Sequence, residues 1–469
     1  MNKDIDQSIF EDMPVPKALA AMALPTILSQ LITTVYNLAD AFFIGKTNDP
    51  YKVAALSLAF VLHLFLTAIA NLFGIGGGSL ISRLLGKFEK ESARHICAFS
   101  VYGALLLSLV YSAGVFMFME PLLRIMGASN DTLPYAQQYA VWAIIVGGVP
   151  TVLSITAAHI LRSVGYARQA SLGIGLGGIL NIILDPVFMF GLLPPGMEVT
   201  GAAVATMLSN VFSTLFLMIC FFHLKNRTVL CLSLKGIFQS KKHILSVLVV
   251  GIPTALGTML TCVSNTIVNR MAADYGDIPL AAAGIIKRVY QFPYSAAIGI
   301  GQGMLPLVAY NYASGNYSRM RQTIRCAMIF SMAFASVLIT VYELLPSQII
   351  RLFINERTTI VLAADFLRIV CTAMPFVIFN FQICYVFQAM GMGKEALIIS
   401  ACRQGIIYIP MILLMNAVFK MYGVIWAQTI TDMLALLISV VLYMKTNRNL
   451  RMQELSLIHI SEPTRLLSI

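Results

Sequence analysis

An aspartate, Asp40, lies deep in an apolar stretch at residues 17–44 that is long enough to cross a bilayer as a helix. A charged side chain at the centre of a membrane helix costs about 2.5–3.5 kcal/mol on insertion scales. Because lipid cannot satisfy polar groups, this face of the helix must contact protein or water. The pattern predicts a proton or ion site beside a cavity, or a polar patch that only holds helices together. The polar residues at helical spacing are Gln30, Thr33 or Thr34, Asn37 and Asp40, with Tyr36 just beside them.

A second acid follows in the sequence GGILNIILDPVFMFG, at residues 177–191. Asn181 and Asp185 are four residues apart, so a helix places both side chains on one face. Pro186 lacks a backbone N–H and disturbs the helix, which frees carbonyl oxygens that can join a polar site. Thr206, in the next apolar segment, can add a hydroxyl group. These residues are further candidates for a cation site.

The composition is that of an integral membrane protein, since 58% of the 469 residues are hydrophobic and the mean hydropathy is +0.81. The net charge of +11 resides mainly between apolar segments, which favours the positive-inside rule over nucleic-acid binding. The 8 Cys residues form no CxxC motif, so we expect no metal centre. The GIGGG sequence at residues 74–78 lacks the other residues of a nucleotide loop and favours close helix packing or a flexible half-helix. We therefore expect no cofactor and no enzymatic activity.

Twelve apolar segments are long enough to span a membrane. Loops after even-numbered segments are rich in Lys and Arg, including Arg162 and Arg168 after the fourth, whereas loops after odd-numbered segments are poor in them. Both termini are therefore predicted to be cytoplasmic, in an all-α multi-pass protein of the cell membrane. The segments lie at residues 17–44, 53–80, 95–119, 137–161, 167–192, 200–223, 244–270, 280–306, 321–345, 361–389, 395–419 and 422–444.

The two halves of the chain carry matching motifs in the same order, such as ALPT and GIPT, GIGGGSL and GIGQGML, and GAAVAT and GVIWAQ. The spacing within the pairs drifts only from about 228 to about 222 residues, which indicates an internal repeat. Because each half has an even number of segments, the two are parallel repeats about an axis along the membrane normal. The predicted units are an N-terminal six-helix lobe at 1–225, a cytoplasmic linker at 226–243, a C-terminal six-helix lobe at 244–453, and a tail at 454–469 that resembles a cloning scar.

Neither acid of the first lobe has an acidic counterpart in the second. Val268 matches Asp40, and the match of Asp185 falls within residues 407–412. This asymmetry indicates a site rather than symmetric scaffolding. The repeat also pairs Asn37 with Asn265 and Thr206 with Gln428.

The apolar segments of the second lobe also contain charged residues. Lys287 either lies in the cavity opposite Asp40 or extends to a membrane interface. Asp432 is expected to pair with a neighbour rather than bind a coupling ion. The candidate residues of a substrate cavity are Gln30, Tyr36, Asn37, Asn265, Lys287 and Gln428.

The sequences YNLADAFFIG, LNIILDP and GAAVAT, with the paired GIG elements, resemble the multidrug and toxic compound extrusion (MATE) family. With its acid in the first helix, the sequence is most similar to the DinF-like and MepA-like bacterial branch of the family. The resemblance to the family spans about residues 10–450. The resemblance implies a V-shaped pair of six-helix bundles that exports organic cations in exchange for sodium or protons. The cation-coupling site that it implies, which would also be the site of any Na⁺, consists of Asp40, Asn181, Asp185 and Thr206.

These observations favour a secondary multidrug antiporter that works by alternating access. The expected partners are small-molecule drugs or toxic organic cations and membrane lipids, with no nucleic acid, and the expected state is a monomer. Two alternatives stay open. A lipid-linked oligosaccharide flippase of the same superfamily would need a cavity rich in Arg to hold pyrophosphate. A receptor or structural protein without transport would leave the repeat and the buried acids unexplained.

Overall fold

The computed structural model describes residues 7–233, 235 and 241–461, and within these ranges every regular element is helical. Parts of the predicted tail and of the predicted linker therefore lie outside the described residues. The first half contains nine helices, and two π-helical segments continue α6 and α8 at Ala140–Val146 and Phe188–Leu192. The helices are α1 Gln7–Glu11, α2 Val15–Gly45, α3 Pro50–Gly86, α4 Lys90–Met117, α5 Met119–Ile125, α6 Leu133–Tyr139, α7 Gly148–Ser163, α8 Ala167–Val187 and α9 Glu198–Leu224.

The second half repeats this order of long helices and contains a third π-helical segment, Cys402–Ile406. Its helices are α10 Lys241–Ala273, α11 Asp277–Ala313, α12 Tyr317–Leu344, α13 Pro346–Arg351, α14 Arg357–Met390, α15 Gly393–Ala401 and α16 Tyr408–Ser461. Helices α3 and α11 each contain 37 residues, and α4 and α12 each contain 28. These equal lengths are those expected of a repeat.

Nine of the described helical stretches are long and apolar enough to cross a membrane. A tenth span results when Leu133–Val146 and Gly148–Ser163, which meet at 48°, are counted as one. The stretch Gly393–Glu454 holds two predicted segments, and a kink divides it at Lys420, whose backbone is not helical at φ 53° and ψ −136°. Helix α11 covers the remaining segment, predicted at residues 280–306. The twelve predicted segments are thus all accounted for by helices.

One basic residue lies elsewhere than predicted. The charge pattern assigned Arg162 to the loop after the fourth segment, but helix α7 continues through it to Ser163. Arg162 is only 4% exposed, and it lies between the two halves of the molecule. The prediction was wrong because hydropathy places a charged residue outside a membrane span. It does so even when another part of the protein covers the charge.

The helix surfaces follow the pattern of a membrane bundle. Large apolar side chains such as Leu109, Ile219 and Val441 are exposed, whereas Ala, Gly and Ser are frequent on the buried faces. Small residues let helix backbones approach closely, which matters because lipid provides no hydrophobic drive for helices to associate. The exposed apolar side chains therefore mark the surface that faces lipid.

Glycines bring the two lobes together where α2 and α3 contact α10 and α11. A Cβ atom built on Gly76 of α3 would lie 2.5 Å from the carbonyl oxygen of Val247. One built on Gly303 of α11 would lie 2.6 Å from Cα of Ala23. The close helix packing predicted for the GIGGG sequence is confirmed.

Side-chain hydrogen bonds between α2 and α11 accompany this packing. The amide nitrogen of Gln30 donates to Oε1 of Gln302 at 3.1 Å. The hydroxyl groups of Thr34 and Ser295 are 2.6 Å apart. Helix α2 is therefore bound to the second lobe through its first two-thirds.

The N-terminal helix α1 is attached to the second lobe at the end of the bundle that is predicted to be cytoplasmic. The guanidinium group of Arg319 donates to the carbonyl oxygens of Ile9, Phe10 and Met13 at 3.2, 2.7 and 2.6 Å. The ring of Phe10 stacks on that of Tyr310, with centroids 4.9 Å apart. Because carbonyls at a helix end have no partner within the helix, Arg319 satisfies groups that would otherwise be unpaired. The lobes are closed against each other at this end.

The packing at Gly303 can be tested by adding a single methyl group. Gly303→Ala should lower the free energy of unfolding by about 1–3 kcal/mol, because its Cβ meets the backbone of α2. Gly284→Ala in the same helix is the control, since no described atom lies within 4 Å of its Cβ position. It should leave stability unchanged or raise it by up to about 1 kcal/mol. Thermal unfolding of the purified protein measures both, and equal midpoints would contradict the contact.

Candidate functional site

Asp40 and Asp185 lie together inside the first lobe. Asp40 projects from α2 and is 7% exposed, and Asp185 projects from α8 and is fully buried. Their carboxyl groups are neighbours that interact with each other. Since ionised carboxylates only accept hydrogen bonds, a hydrogen bond between these two groups would need a proton on one of them. The structure thus brings together the two acids that the sequence singled out.

Asn181 and Thr206 complete a polar cluster with the two acids. Nδ2 of Asn181 lies 3.4 Å from Oδ1 of Asp185 and 3.3 Å from Oγ1 of Thr206. Both distances are long for an N–H···O hydrogen bond, so the cluster is loosely held. Thr206 comes from α9, so three helices contribute. We call these four residues the carboxyl cluster.

Three oxygen atoms of the carboxyl cluster have no hydrogen-bond partner among the described residues. They are Oδ1 of Asp40, Oδ1 of Asn181 and Oδ2 of Asp185. No Lys or Arg of the described chain forms an ion pair with either acid. Burial of acceptors without donors costs free energy, and burial of an unneutralised charge costs more. The cluster therefore lacks positive charge, which a proton or a monovalent cation can supply.

Two tyrosines border the carboxyl cluster. Tyr36 lies one turn before Asp40 on α2, and it interacts electrostatically with both acids. Tyr139, the last residue of α6, lies beside Thr206 and also interacts electrostatically with both acids. Tyr36 was predicted as a cavity residue, whereas Tyr139 was not. The only polar signal in the sequence next to Tyr139 is a pair of glutamines, and these do not indicate that Tyr139 lies beside Thr206.

The helix backbone is irregular next to the carboxyl cluster. Tyr139 immediately precedes the π-helical segment Ala140–Val146, and Asp185 and Pro186 lie just before Phe188–Leu192. Such turns are frequent at functional sites, and a proline removes one hydrogen bond from the helix. The disturbance predicted at Pro186 therefore takes the form of a π-helical turn that begins two residues later.

The polar stripe predicted on α2 divides between two faces of the helix. Tyr36 packs towards α8, where a Cβ atom on Gly178 would lie 3.1 Å from its ring. Gln30 instead contacts α11 of the second lobe. Asn37 is exposed. Helix α2 therefore carries one face of the carboxyl cluster and one face of the interlobe contact.

The second lobe contains a buried ion pair between Arg403 and Asp432. Nε of Arg403 lies 2.5 Å from Oδ1 of Asp432, and the two residues are 4% and 0% exposed. Gln428 donates to the other carboxylate oxygen of Asp432. The ring of Phe381 covers the guanidinium group at 4.4 Å. The prediction that Asp432 pairs with a neighbour is confirmed.

The other predicted cavity residues of the second lobe stand apart from the carboxyl cluster. Asn265 is half-buried on α10, and Lys287 is exposed on α11, where it interacts electrostatically with Cys262. Gln428, the repeat partner of Thr206, contributes to the buried cluster of its own lobe. The two lobes thus place polar groups at related positions, but only the second lobe neutralises its acid.

These features define a multi-pass membrane protein of two parallel six-helix lobes, with unneutralised acids in the first lobe. The family model described as MatE matches the chain twice, at residues 25–187 and 253–414, which confirms the internal repeat. The chain belongs to this family, the MATE transporters that its motifs resemble.

Relatives of known name cover nearly the whole chain. The multidrug export protein MepA of Staphylococcus haemolyticus (strain JCSC1435) is 31% identical over 98% of this chain and 100% of its own length. MepA of Staphylococcus aureus (strain MRSA252) is 31% identical over 95% of this chain and 97% of its own length.

Solved structures share the fold. A multidrug resistance MATE family transporter of the MOP superfamily in an outward-facing conformation gives a TM-score of 0.89 at 24% identity, over 96% of this chain and 99% of its own. A MOP superfamily transporter from Pyrococcus furiosus gives 0.86 at 24% identity, over 96% and 99%. The expected all-α, two-lobed membrane fold is therefore confirmed.

The ion pair of the second lobe gives a prediction about stability. Arg403→Met and Asp432→Leu should each lower the free energy of unfolding by about 3–5 kcal/mol, because each leaves a buried charge without a partner. The double variant should be more stable than either single variant, since no uncompensated charge remains. Thermal unfolding of the three purified variants measures this. Strictly additive losses would show that the pair is not coupled.

Proposed function

We propose that the protein is a secondary active efflux transporter that exchanges a monovalent cation for organic, mostly cationic compounds. The observation that carries the proposal is the carboxyl cluster, in which two buried acids have no basic partner and three oxygens have no donor among the residues that the structure describes. Such groups are costly within a membrane unless they bind something positive. Membership of the MATE family and the multidrug export named for the MepA relatives support the same reaction.

Helix α2 provides the physical link between cation binding and lobe movement. Asp40 on this helix belongs to the carboxyl cluster, and Gln30 and Thr34 on the same helix bind the second lobe. A cation that neutralises Asp40 and Asp185 removes their repulsion and lets α2 pack more closely on α8. Any shift of α2 moves the interlobe hydrogen bonds with it. The cation and the substrate then favour different positions of α2. Exchange requires that the two favour different conformations in this way.

The interlobe contacts support alternating access. The hydrogen bonds of Gln30 and Thr34 lie near the middle of α2, and the glycine contacts of α3 and the contacts of α1 lie towards the end that is predicted to be cytoplasmic. Closure there corresponds to a conformation that opens to the outside. The positive-inside pattern supports a protein of the plasma membrane with both termini in the cytoplasm. We propose that it acts as a monomer within the lipid bilayer.

We further propose that the coupling ion is a proton. The carboxyl groups of Asp40 and Asp185 are buried neighbours that interact with each other. Two such acids resist simultaneous ionisation, so a single proton held by the pair is favoured. A sodium ion would use the same oxygens, and the transport assay separates the two.

The assay uses proteoliposomes that contain the full-length protein and a fluorescent organic cation. We expect transport to follow an imposed pH gradient and to be unchanged when sodium is replaced by potassium at constant pH. Transport that needs a sodium gradient would overturn the assignment of the proton but not the exchange. Transport of a lipid-linked oligosaccharide instead of the dye, or of neither, would overturn the proposed function.

Substitutions in the carboxyl cluster test the role of the acids. Asp40→Asn and Asp185→Asn should each reduce gradient-driven transport by at least about tenfold, because neither amide can release a proton. The double variant should be little worse than either single one, since residues that act as a unit are not additive. Asp131→Asn, at an exposed acid of the same lobe, is the control and should transport normally. Normal transport by Asp40→Asn, at normal levels in the membrane, would refute the proposal.

A further inference from the structure

A buried arginine, Arg162, lies between the lobes without a counter-charge. It is 4% exposed, and within the described chain its Nε has no hydrogen-bond partner and no carboxylate acts on it. An arginine keeps its charge in proteins, so burial does not neutralise it. An uncompensated charge in a low-dielectric interior is strongly unfavourable. Something negative from outside the chain is therefore needed beside Arg162.

A small cavity adjoins Arg162 and has a volume of about 10 Å³. A cavity of about 10–15 Å³ holds a single water molecule. The space beside Arg162 is therefore about the size of one water molecule or one small ion. The residues that line it are Gly74, Ile75 and Gly78 of α3, His159, Arg162 and Ser163 of α7, and Gln302, Leu305 and Pro306 of α11.

The walls of the cavity come from both lobes. Gly74 and Gly78 leave room beside α7, since a Cβ atom on Gly74 would lie 2.8 Å from the ring of His159. Gln302 closes the other side from the second lobe, where it is held by Gln30. An ion in this position is enclosed only while the lobes are in contact. Its binding energy would therefore favour the conformation seen here.

We propose that Arg162 and this cavity form a chloride site that stabilises the closed contact between the lobes. A water molecule fits the space but supplies no charge, whereas chloride supplies both the charge and the acceptor for the guanidinium N–H groups. The site lies apart from the carboxyl cluster and shares no residue with it. The inference does not depend on the proposed transport, because its test contains no drug and no gradient.

The first experiment follows thermal unfolding of the full-length purified protein through the fluorescence of Trp142 and Trp426. Chloride replaces gluconate at constant ionic strength, sodium concentration and pH. We expect a saturating rise of the midpoint with chloride in the wild type and in Arg168→Gln, an exposed arginine nearby that serves as the control. Arg162→Gln should lose the dependence. A wild-type midpoint that does not respond to chloride would overturn the proposal.

A second variant and a direct measurement keep the test decisive if Arg162→Gln does not fold. Arg162→Lys retains the charge with fewer donors, so it should keep the chloride dependence with an affinity about tenfold weaker. Crystals grown in bromide should show an anomalous peak in the cavity beside the Arg162 guanidinium group. A cavity that holds water and no bromide would overturn the proposal, as would an unchanged chloride response in Arg162→Gln.

Discussion

Two carboxyl groups buried side by side, with no Lys or Arg of the described residues to neutralise them, are the constraint on which the structure of the first lobe depends. Asp40 and Asp185 come from helices that are distant in sequence, and Asn181 and Thr206 close the space around them. In a low-dielectric interior, two neighbouring negative charges repel strongly. The lobe therefore holds them together only at a cost that depends on what they bind. A site of this kind is sensitive to cations because helix packing holds two carboxylates together that repel each other, and a bound cation removes this repulsion.

Of the two repeated lobes, only the first has this sensitivity to cations in the part of the chain that the structure describes. Both lobes have π-helical turns next to a buried acid, but the second lobe pairs Asp432 with Arg403 and caps it with Gln428. A carboxylate that is already paired gains little from another cation. The same backbone arrangement therefore holds an acid that can respond to a cation in the first lobe and an acid that is already neutralised in the second lobe. Differential behaviour of two similar halves is what allows one to move relative to the other.

The sequence predicts the parts of this arrangement that depend on local chemistry. An acid in an apolar run is visible because it is costly, so Asp40 and Asp185 could be singled out, and the order of motifs revealed the repeat. Tyr139 could not be found in this way, because its contact with Thr206 depends on how the bent helix pair of the fourth segment packs against α9. The two faces of α2 likewise depend on which helices surround it. Arg162 was misplaced because hydropathy records that a residue is charged but not that a second lobe covers it.

The proximity of Asp40 and Asp185 has a consequence for the energetics of exchange. If the pair carries one proton and gives it up for one monovalent organic cation, the charges that cross in opposite directions cancel. The cycle is then electroneutral, so the membrane voltage does no work on it and only the difference in proton concentration drives accumulation. A divalent substrate would unbalance the same cycle and make it electrogenic. The number of protons that the pair can hold thus decides which component of the membrane energy this protein can use.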